Sequence, residues 1–348
     1  MQPKPGSQIH FLLTALASAP SADNSQPWCT TWDGRQLKAY ARSRGGFPVD
    51  YHATLLALGA ASENVAQALQ VLGLKPEQWQ IGPPDGEGCF ITGTLDDASE
   101  VSANLNTPWL ARHTNRAPYA KQMMPGIASF IDAFNTSRLS VRLLTGDSLR
   151  LAAGWVNRAS AIRFRTEEVH KWFGESLRFG ASDKDRQQGL HVATLNLPPG
   201  GEALLRWTAN WEVMAKLNRI GLYKMFALIE AQGFQQAPCA LAIVGPQSRD
   251  DTFEAGRYLE RIWLTTTQKG WAAHPFYVVS DLLYRYASER IAPRFLNTAR
   301  DIQHEVEAFV GTGNTIHCLL RLGMPKRAVL RSGRMPINDI MCNSPKGK

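Results

Sequence analysis

The sequence has no apolar stretch near the roughly 18 residues that a membrane-spanning helix requires. It also has no Cys-x-x-Cys pair among its five cysteines and no run of five basic residues. These absences argue against a membrane protein, a disulfide scaffold and a nucleic-acid-binding basic tail. The apolar segment 9–17 imitates a signal peptide, but a cut after it would sever the motif at 19–28 described below. We therefore expect reduced thiols and a cytoplasmic protein.

What the chain does contain is a large supply of core residues. Its 348 residues are 44% apolar and 20% charged, with ten tryptophans. This length fits about two domains, or one domain built from two related halves. The net charge of +8 favours anionic partners. Because the basic residues are scattered, we expect a small anion such as a phosphorylated cofactor rather than nucleic acid.

Apolar periodicity predicts helices and strands in alternation. In the first part we expect a helix over 7–17, a hairpin over 28–41, a long helix capped by Asp50 and stopped by Gly73, and strands near 79–81 and 89–92. Further on, we expect strands over 139–144, 239–244 and 315–322, and helices over 126–134, from 147, and over 252–269, 278–288 and 299–309. We expect residues 166–211 to form helices and loops, and we call this segment the cover.

One spacing occurs twice in the chain. Gly59, Glu63 and Gly73 are separated by the same intervals as Gly256, Glu260 and Gly270, and each triplet lies on an amphipathic helix that ends in glycine. The repeat predicts two pseudo-symmetric halves, 1–105 and 106–348, within one chain. The alternative is coincidence, because helices often end in glycine.

Three polar segments are candidates for ligand binding. The segment 19–28, Ala-Pro-Ser-Ala-Asp-Asn-Ser-Gln-Pro-Trp, presents hydroxyl, amide and backbone groups between a helix and a strand. The segment 112–116, Arg-His-Thr-Asn-Arg, places two guanidinium groups around a hydroxyl and an amide, a set that suits phosphate. The segment 331–336, Arg-Ser-Gly-Arg-Met-Pro, is a second basic cluster. Each one alone is also typical of an ordinary polar connection.

Other chemistry has less support. The eight histidines show no His-x-x-x-His spacing, so we expect no metal site. Cys239, at the start of a predicted core strand, is interpreted as a buried structural thiol. The aromatic and basic residues of 155–211 could stack nucleic-acid bases, but we interpret them as core and cover.

Taken together, these segments resemble the nitroreductase superfamily of FMN-dependent oxidoreductases. The resemblance includes 19–28, 112–116, the helix 256–264 with Gly270, His274-Pro275 and 331–336, and so covers nearly the whole chain. Their order is most similar to the Acg-like branch, in which an internal duplication lets one chain imitate the usual homodimer. The implied fold is α+β, with a mixed, largely antiparallel sheet wrapped by helices and FMN between two pseudo-symmetric halves.

The resemblance also implies roles for individual residues. The FMN phosphate would be held by the basic segment and by C-terminal arginines, namely Arg112, Thr114, Asn115, Arg116, Arg331 and Arg334. Residues of the other half would approach the flavin, namely Pro20, Ser21, Asn24 and Gln26. Backbone groups at Pro275, Phe276 and Tyr277 would lie near its reactive edge. No catalytic side chain is expected, because the flavin itself accepts and donates the hydride.

The implied activity is hydride transfer through FMN, from NAD(P)H as the electron donor to a nitroaromatic, a quinone or a related small molecule, or oxidation of a specific metabolite. The alternative is an FMN-binding or FMN-sequestering protein without turnover, in which the cover bars a nicotinamide. Two departures from the family pattern are Gln188-Gly189-Leu190-His191, on the substrate side, and Thr265-Thr266, in a helix. We expect no nucleic-acid or membrane partner and a flavin site complete within one chain.

Overall fold

The computed structural model describes residues 3–43, 48–95, 101, 107–135, 138–180, 182 and 187–342. Its helices are α1 (Gln8–Ala17), α2 (His52–Val71), α3 (Pro108–Ala111), α4 (Ile127–Asp132), α5 (Gly146–Arg163), α6 (Glu167–Ser176), α7 (Gly201–Thr208), α8 (Trp211–Arg219), α9 (Leu222–Gln235), α10 (Arg249–Gln268), α11 (Val278–Ala287), α12 (Leu296–Val310) and α13 (Ile337–Ile340). Its strands are β1 (Trp28–Trp32), β2 (Gln36–Ala41), β3 (Gln80–Ile81), β4 (Cys89–Thr94), β5 (Ser140–Leu144), β6 (Leu177–Arg178), β7 (Leu190–His191), β8 (Cys239–Pro246), β9 (Ala272–Phe276) and β10 (Asn314–Gly323).

The strands form two four-stranded antiparallel sheets and one small parallel pair. The first sheet has the order β1-β2-β4-β3 and the second has the order β5-β8-β10-β9. Strands β6 and β7 pair in parallel in the predicted cover. The predicted α+β fold with largely antiparallel strands is confirmed.

Both sheets follow the same plan. In each sheet the spatial order is the first, second, fourth and third strand along the chain. In each, a 20-residue helix, α2 or α10, follows the second strand. Gly73 and Gly270 end these two helices in the left-handed region, at φ 73° and 71°, as is common where a helix stops. The second sheet differs by helical insertions between β5 and β8 and between β9 and β10.

The two long helices meet at their repeated glycines. A Cβ atom on Gly59 would lie 2.0 Å from the Phe253 carbonyl oxygen, and one on Gly256 would lie 2.2 Å from the Leu56 carbonyl oxygen. Only glycine permits so close a backbone approach. One turn further along, Glu63 accepts two hydrogen bonds from Arg261, at 2.9 and 2.8 Å. The predicted repeat therefore lies at the contact between the two sheet-and-helix units.

The apolar core follows the same division. One cluster fills the space between the first sheet, α1 and α2, and it includes Met335 and Ile340 from the C-terminal segment. Two further clusters cover the faces of the second sheet. Strand β10 is buried over nearly its whole length, and its apolar residues Ile316, Cys318, Leu319, Leu320 and Leu322 belong to these two clusters.

Several sequence expectations need correction or fall outside the described residues. Asp50 does not cap α2; Tyr51 occupies that position, and the Asp50 carboxylate instead pairs with Arg249 at 2.8 Å. Strand β9 and helix α9 were not predicted. The boundary expected at 105/106 lies outside the described residues.

Candidate functional site

The first motif forms a tight, left-handed turn. Asp23, Asn24 and Gln26 have φ values of 49°, 55° and 51°, a region that non-glycine residues seldom adopt. The hydroxyl of Ser21 accepts a hydrogen bond from the Gln26 backbone N–H at 2.9 Å and holds the turn closed. Such concentrated backbone strain is typical of functional sites.

The turn binds the C-terminal segment. The Asn24 amide oxygen accepts from Arg334 Nη1 at 3.0 Å, and the amide nitrogen donates to the Gly333 carbonyl at 3.2 Å. The buried Gln26 accepts from the Met335 backbone N–H at 2.9 Å. Two segments about 310 positions apart in the sequence therefore lie together.

Arg112 joins this cluster from a third segment. Its Nη2 donates to the Ser18 carbonyl at 2.6 Å, and Arg334 Nη2 lies 3.4 Å from the same oxygen. Arg112 Nε lies 3.0 Å from the carboxylate of Glu260, with both side chains buried. The guanidinium also lies 4.6 Å from the centre of the Trp263 ring.

Burial dominates the electrostatics of this cluster. It raises the pKa of Glu260 to about 7, although the charge of Arg112 opposes the rise. It lowers the pKa of Arg334 to about 9, and the neighbouring charge of Arg112 adds to the lowering. Arg334 Nε is buried and has no hydrogen-bond partner among the described residues. The two guanidinium groups thus face one carboxylate, which leaves a positive excess.

Arg116 belongs to an adjacent basic cluster. Its Nη1 lies 3.4 Å from the Thr194 carbonyl, and burial lowers its pKa to about 10, opposed by Asp23. Arg321, on β10, donates to the Ala117 carbonyl at 3.1 Å. His274 lies opposite Arg321 in the β9–β10 register.

The second cluster also contains buried nitrogen atoms without hydrogen-bond partners in the described part of the chain. Burial, then Arg321 and Arg116, lower the pKa of His274 well below its usual value. Its Nδ1 atom and the Nε of Arg321 are buried without a hydrogen-bond partner in the described part of the chain. Burial raises the pKa of Asp23, against the charges of Arg163 and Arg116. Arg163 is itself paired with Glu230. The other four arginines, Arg112, Arg116, Arg321 and Arg334, face only the two carboxylates of Glu260 and Asp23 in this part of the described chain, so they fit a ligand that brings negative charge, such as a phosphate.

The other residues predicted to bind the ligand lie near these two clusters, and their environments differ. Thr114 bridges to Ala273, and Asn115 donates its backbone N–H to the Ala273 carbonyl at 2.9 Å, so this segment runs beside β9. The Asn115 side chain serves a local turn, accepting from the Ala117 N–H at 3.0 Å. Arg331 is exposed and lies 3.4 Å from the Leu110 carbonyl. Pro20 is half-buried, beside the turn.

The segment predicted near the flavin edge begins a chain of hydrogen bonds. Pro275 and Phe276 lie on β9, and the hydroxyl of Tyr277 lies 3.0 Å from His52 Nδ1. His52 Nε2 lies 3.3 Å from His317 Nδ1, and His317 Nε2 lies 3.1 Å from the Pro246 carbonyl. The Pro246 carbonyl can only accept, so His317 Nε2 carries the proton and donates to it. In neutral rings, His317 Nδ1 then accepts from His52 Nε2, and His52 Nδ1 accepts from the Tyr277 hydroxyl.

The cover touches the turn and the basic cluster. The Gln187 carbonyl accepts from Gln26 Nε2 at 2.7 Å, and the Gly189 N–H donates to the Asn24 carbonyl at 3.3 Å. The Thr194 carbonyl meets Arg116, as described above. Segment 187–194 therefore contacts the predicted ligand-binding residues, and it includes Gln188-Gly189-Leu190-His191.

Two cavities lie elsewhere. One, of about 20 Å³, is next to Asp281 and Arg285, and the other, of about 610 Å³, opens between loop 84–88 and Arg249. Neither is lined by a predicted flavin contact.

Within the described ranges, no group of three or more His, Cys, Asp or Glu could hold a metal ion. No helix in these ranges is both long and apolar enough to cross a membrane.

Sequence reasoning missed several members of the site. Arg321 interrupts the buried apolar run of β10, a signal that could have marked it. Glu260 appeared only as part of the repeat, and Asp23 only as part of the turn segment. Their importance depends on contacts between distant segments, which a single sequence does not show.

No family model matches the chain, and no curated protein matches it. Solved structures do match. An FMN-dependent nitroreductase from Mycobacterium smegmatis, solved in complex with NADPH, is 15% identical with a TM-score of 0.38, over 67% of this chain and 94% of that one. A nitroreductase-like family protein from Bacillus cereus is 12% identical with a TM-score of 0.35, over 72% and 99%. A nitroreductase with bound FMN from Desulfitobacterium hafniense is 14% identical with a TM-score of 0.33, over 66% and 93%. Similarity at this level assigns no cofactor or substrate to this chain.

Proposed function

We propose that the protein is an FMN-dependent oxidoreductase. The observation that carries the proposal is the convergence of Arg112 and Arg334, from distant segments, on the Ser18 carbonyl beside Asn24. A buried positive excess with an unpartnered Arg334 Nε suits a phosphate. The motif resemblance adds that this phosphate belongs to FMN.

In this proposal the chain binds and orients the flavin. Arg112, Thr114, Arg116 and Arg334 hold the phosphate, with Asn115 fixing the turn between them and Arg331 adding charge at the surface. Ser21, Asn24 and Gln26 hold the strained turn against the ligand, beside Pro20. Segment 275–277 lines the reactive edge. The bound flavin supplies hydride transfer, from NAD(P)H to a small electrophile such as a nitroaromatic or quinone, or from a specific metabolite.

A second function, FMN binding without turnover, is favoured by one observation. The cover already bonds to Asn24, Gln26 and Arg116, and a flavin held by these residues would lie beneath it, out of reach of a nicotinamide. Steady-state oxidation of NADPH with menadione or a nitrofuran distinguishes the two functions. Turnover supports the oxidoreductase, whereas bound flavin without turnover supports the binding protein.

The test of the proposal starts with purified protein. We expect the visible bands of oxidised flavin and release of FMN on denaturation. Colourless protein that takes up no added FMN would contradict the proposal.

Single substitutions test the phosphate site. Arg116→Ala and Arg334→Ala should each weaken FMN binding by about 1–3 kcal/mol, as expected for the loss of a charge-assisted hydrogen bond. Titration of apo-protein with FMN measures this loss. Arg150→Ala is the matched control, since Arg150 is exposed and pairs with Asp147 on its own helix. Wild-type affinity in both test variants would contradict the assignment.

A further inference from the structure

The C-terminal segment 331–342, here called the strap, crosses the first sheet-and-helix unit. Met335 and Ile340 enter that unit's core. At its end, Met341 forms a parallel bridge with Thr30 of β1, and the Cys342 backbone N–H donates to the Thr30 carbonyl at 2.8 Å. The strap also carries Arg334, so its position determines where that guanidinium lies.

The strap brings two cysteines from opposite ends of the chain together. Cys342 Sγ lies 2.6 Å from Cys29 Sγ on β1. A disulfide bond is about 2.05 Å long, so only a small further approach is needed to form one. The thiols of Cys89 and Cys318 instead donate to backbone carbonyls. The backbone pairing of β1 with the strap holds the two sulfur atoms in this position.

The surroundings give the two thiols different roles. Cys342 is partly exposed, whereas Cys29 is only 5% exposed. Burial raises the pKa of Cys29 to about 11, and the hydrogen bond from Arg42 opposes this rise. Arg42 Nε donates to Cys29 Sγ at 2.9 Å. Because Cys342 is the more exposed thiol, solvent reagents reach it first. Cys29 is the thiol that reacts second, with Cys342.

We propose that Cys29 and Cys342 are a redox pair that closes to an intramolecular disulfide by exchange with a small-molecule disulfide such as oxidised glutathione. The Cys342 thiolate attacks one glutathione sulfur, forms a mixed disulfide and releases one glutathione thiolate. The Cys29 sulfur then attacks Cys342 Sγ and releases the second glutathione. The two protein thiols lose two electrons and two protons in total, and these reduce one glutathione disulfide to two glutathione molecules.

The disulfide would fasten the strap to β1. It closes a loop that contains almost the whole chain and therefore restricts the unfolded state. It also fixes the strap that places Arg334 beside Asn24. The pair itself does not depend on the proposed flavin, so the two proposals succeed or fail separately.

The first experiment uses the wild-type chain. The protein is incubated with oxidised glutathione, alkylated and digested, and the peptides are mapped by mass spectrometry without reduction. We expect the peptides that contain Cys29 and Cys342 to be joined, and to separate after dithiothreitol. The number of titratable thiols should fall by two and return on reduction.

Variants then test the order of attack. Cys29→Ser should accumulate glutathione on Cys342, because the second thiol is absent. Cys342→Ser should react at Cys29 at least about tenfold more slowly, since that thiol is buried. Cys89→Ser is the matched control and should form the 29–342 link as the wild type does. If wild type forms no joined peptide at a glutathione disulfide concentration that modifies Cys342 in Cys29→Ser, the proposal is wrong. It is equally wrong if Cys342 resists modification in that variant.

Discussion

The buried pair of Arg112 and Glu260 should be important for stability as well as for the site. Arg112→Met removes the cation that lies 3.0 Å from the buried Glu260 carboxylate, and we expect a loss of about 3–5 kcal/mol in the free energy of unfolding. The double variant Arg112→Met/Glu260→Leu removes both charges and should recover much of that loss. Urea unfolding of the single and double variants measures the difference. Equal stability of the two variants would contradict the expected recovery and the cost assigned to the unpaired Glu260 carboxylate.

The hydrogen-bonded histidines predict a pH dependence. Burial lowers the pKa of His317 to about 4, although the Pro246 carbonyl and Asp251 oppose it. Burial, followed by the charge of His317, also lowers the pKa of His52. At these two histidines the unfolded chain therefore binds more protons than the folded chain between about pH 4 and pH 6.5. The stability that each neutral ring contributes is fully present above pH 6.5 and declines as the pH falls towards 4.

A comparison with His317→Asn isolates this contribution. Asparagine retains an acceptor for His52 but does not titrate, so the advantage of the wild type over the variant should shrink by about 2 kcal/mol between pH 7 and pH 5. The comparison is needed because Glu260, whose pKa is raised to about 7, changes stability in the opposite direction. Denaturant unfolding at both pH values measures the change. A constant difference would exclude neutral His317 in the folded state.

At the scale of residues, sequence reasoning selected whole polar segments and did not show which contact each side chain makes. Asn24 and Arg334 were both named as candidate ligand-binding residues, but the hydrogen bond between them was not predicted. Sequence reasoning did not show that Glu260 holds Arg112, because an ion pair between distant segments requires the three-dimensional contact. For the same reason it did not place Arg321 beside Arg116.

At the scale of elements, the crossing of α2 and α10 allows a sharp test. Gly59→Ala places a methyl group against the Phe253 carbonyl, so the helices must separate, and we expect a loss of about 1–3 kcal/mol or more. Gly154→Ala is the matched control, because Gly154 lies on α5 with no atom near the added Cβ. There we expect a gain of about 0.4–1 kcal/mol. Thermal and urea unfolding of both variants check these signs. A neutral Gly59→Ala would contradict the close crossing.

Apolar periodicity predicted most of the helices and strands. The elements that it did not predict can be explained physically. Strand β9 contains Pro275, which argues against a central strand, but β9 is the edge strand of its sheet, next to β10, where proline is tolerated. Helix α9 was missed because it exposes apolar residues such as Leu228 and Ile229, so its apolar pattern does not define one face. Asp50 was assigned as a cap from its position alone, and its partner Arg249 lies too far along the chain for sequence reasoning to find.

At the scale of the whole molecule, the shared sheet plan supports an internal duplication, which we propose. Two sheets with the same strand order, each followed after its second strand by a long helix, are joined through matched glycines at 59 and 256. A symmetric pair of chains would bring equivalent positions together in the same way. Here one chain supplies both units, with the helical insertions confined to the second.

If the proposed flavin site lies between these units, each chain completes its own site. Asn24→Lys blocks the side contributed by the first unit, and Arg116→Glu blocks the side contributed by the second. The two variants are mixed under conditions that permit subunit exchange, which differently tagged copies verify, and FMN binding is measured by fluorescence titration. If a site took one side from each of two chains, some mixed assemblies would regain an intact site and binding would partly return. In the single-chain arrangement every site retains one lesion, so we expect no recovery. Return of binding would disprove the intramolecular site while leaving flavin binding itself intact, because the wild-type chain serves as the positive control for FMN uptake.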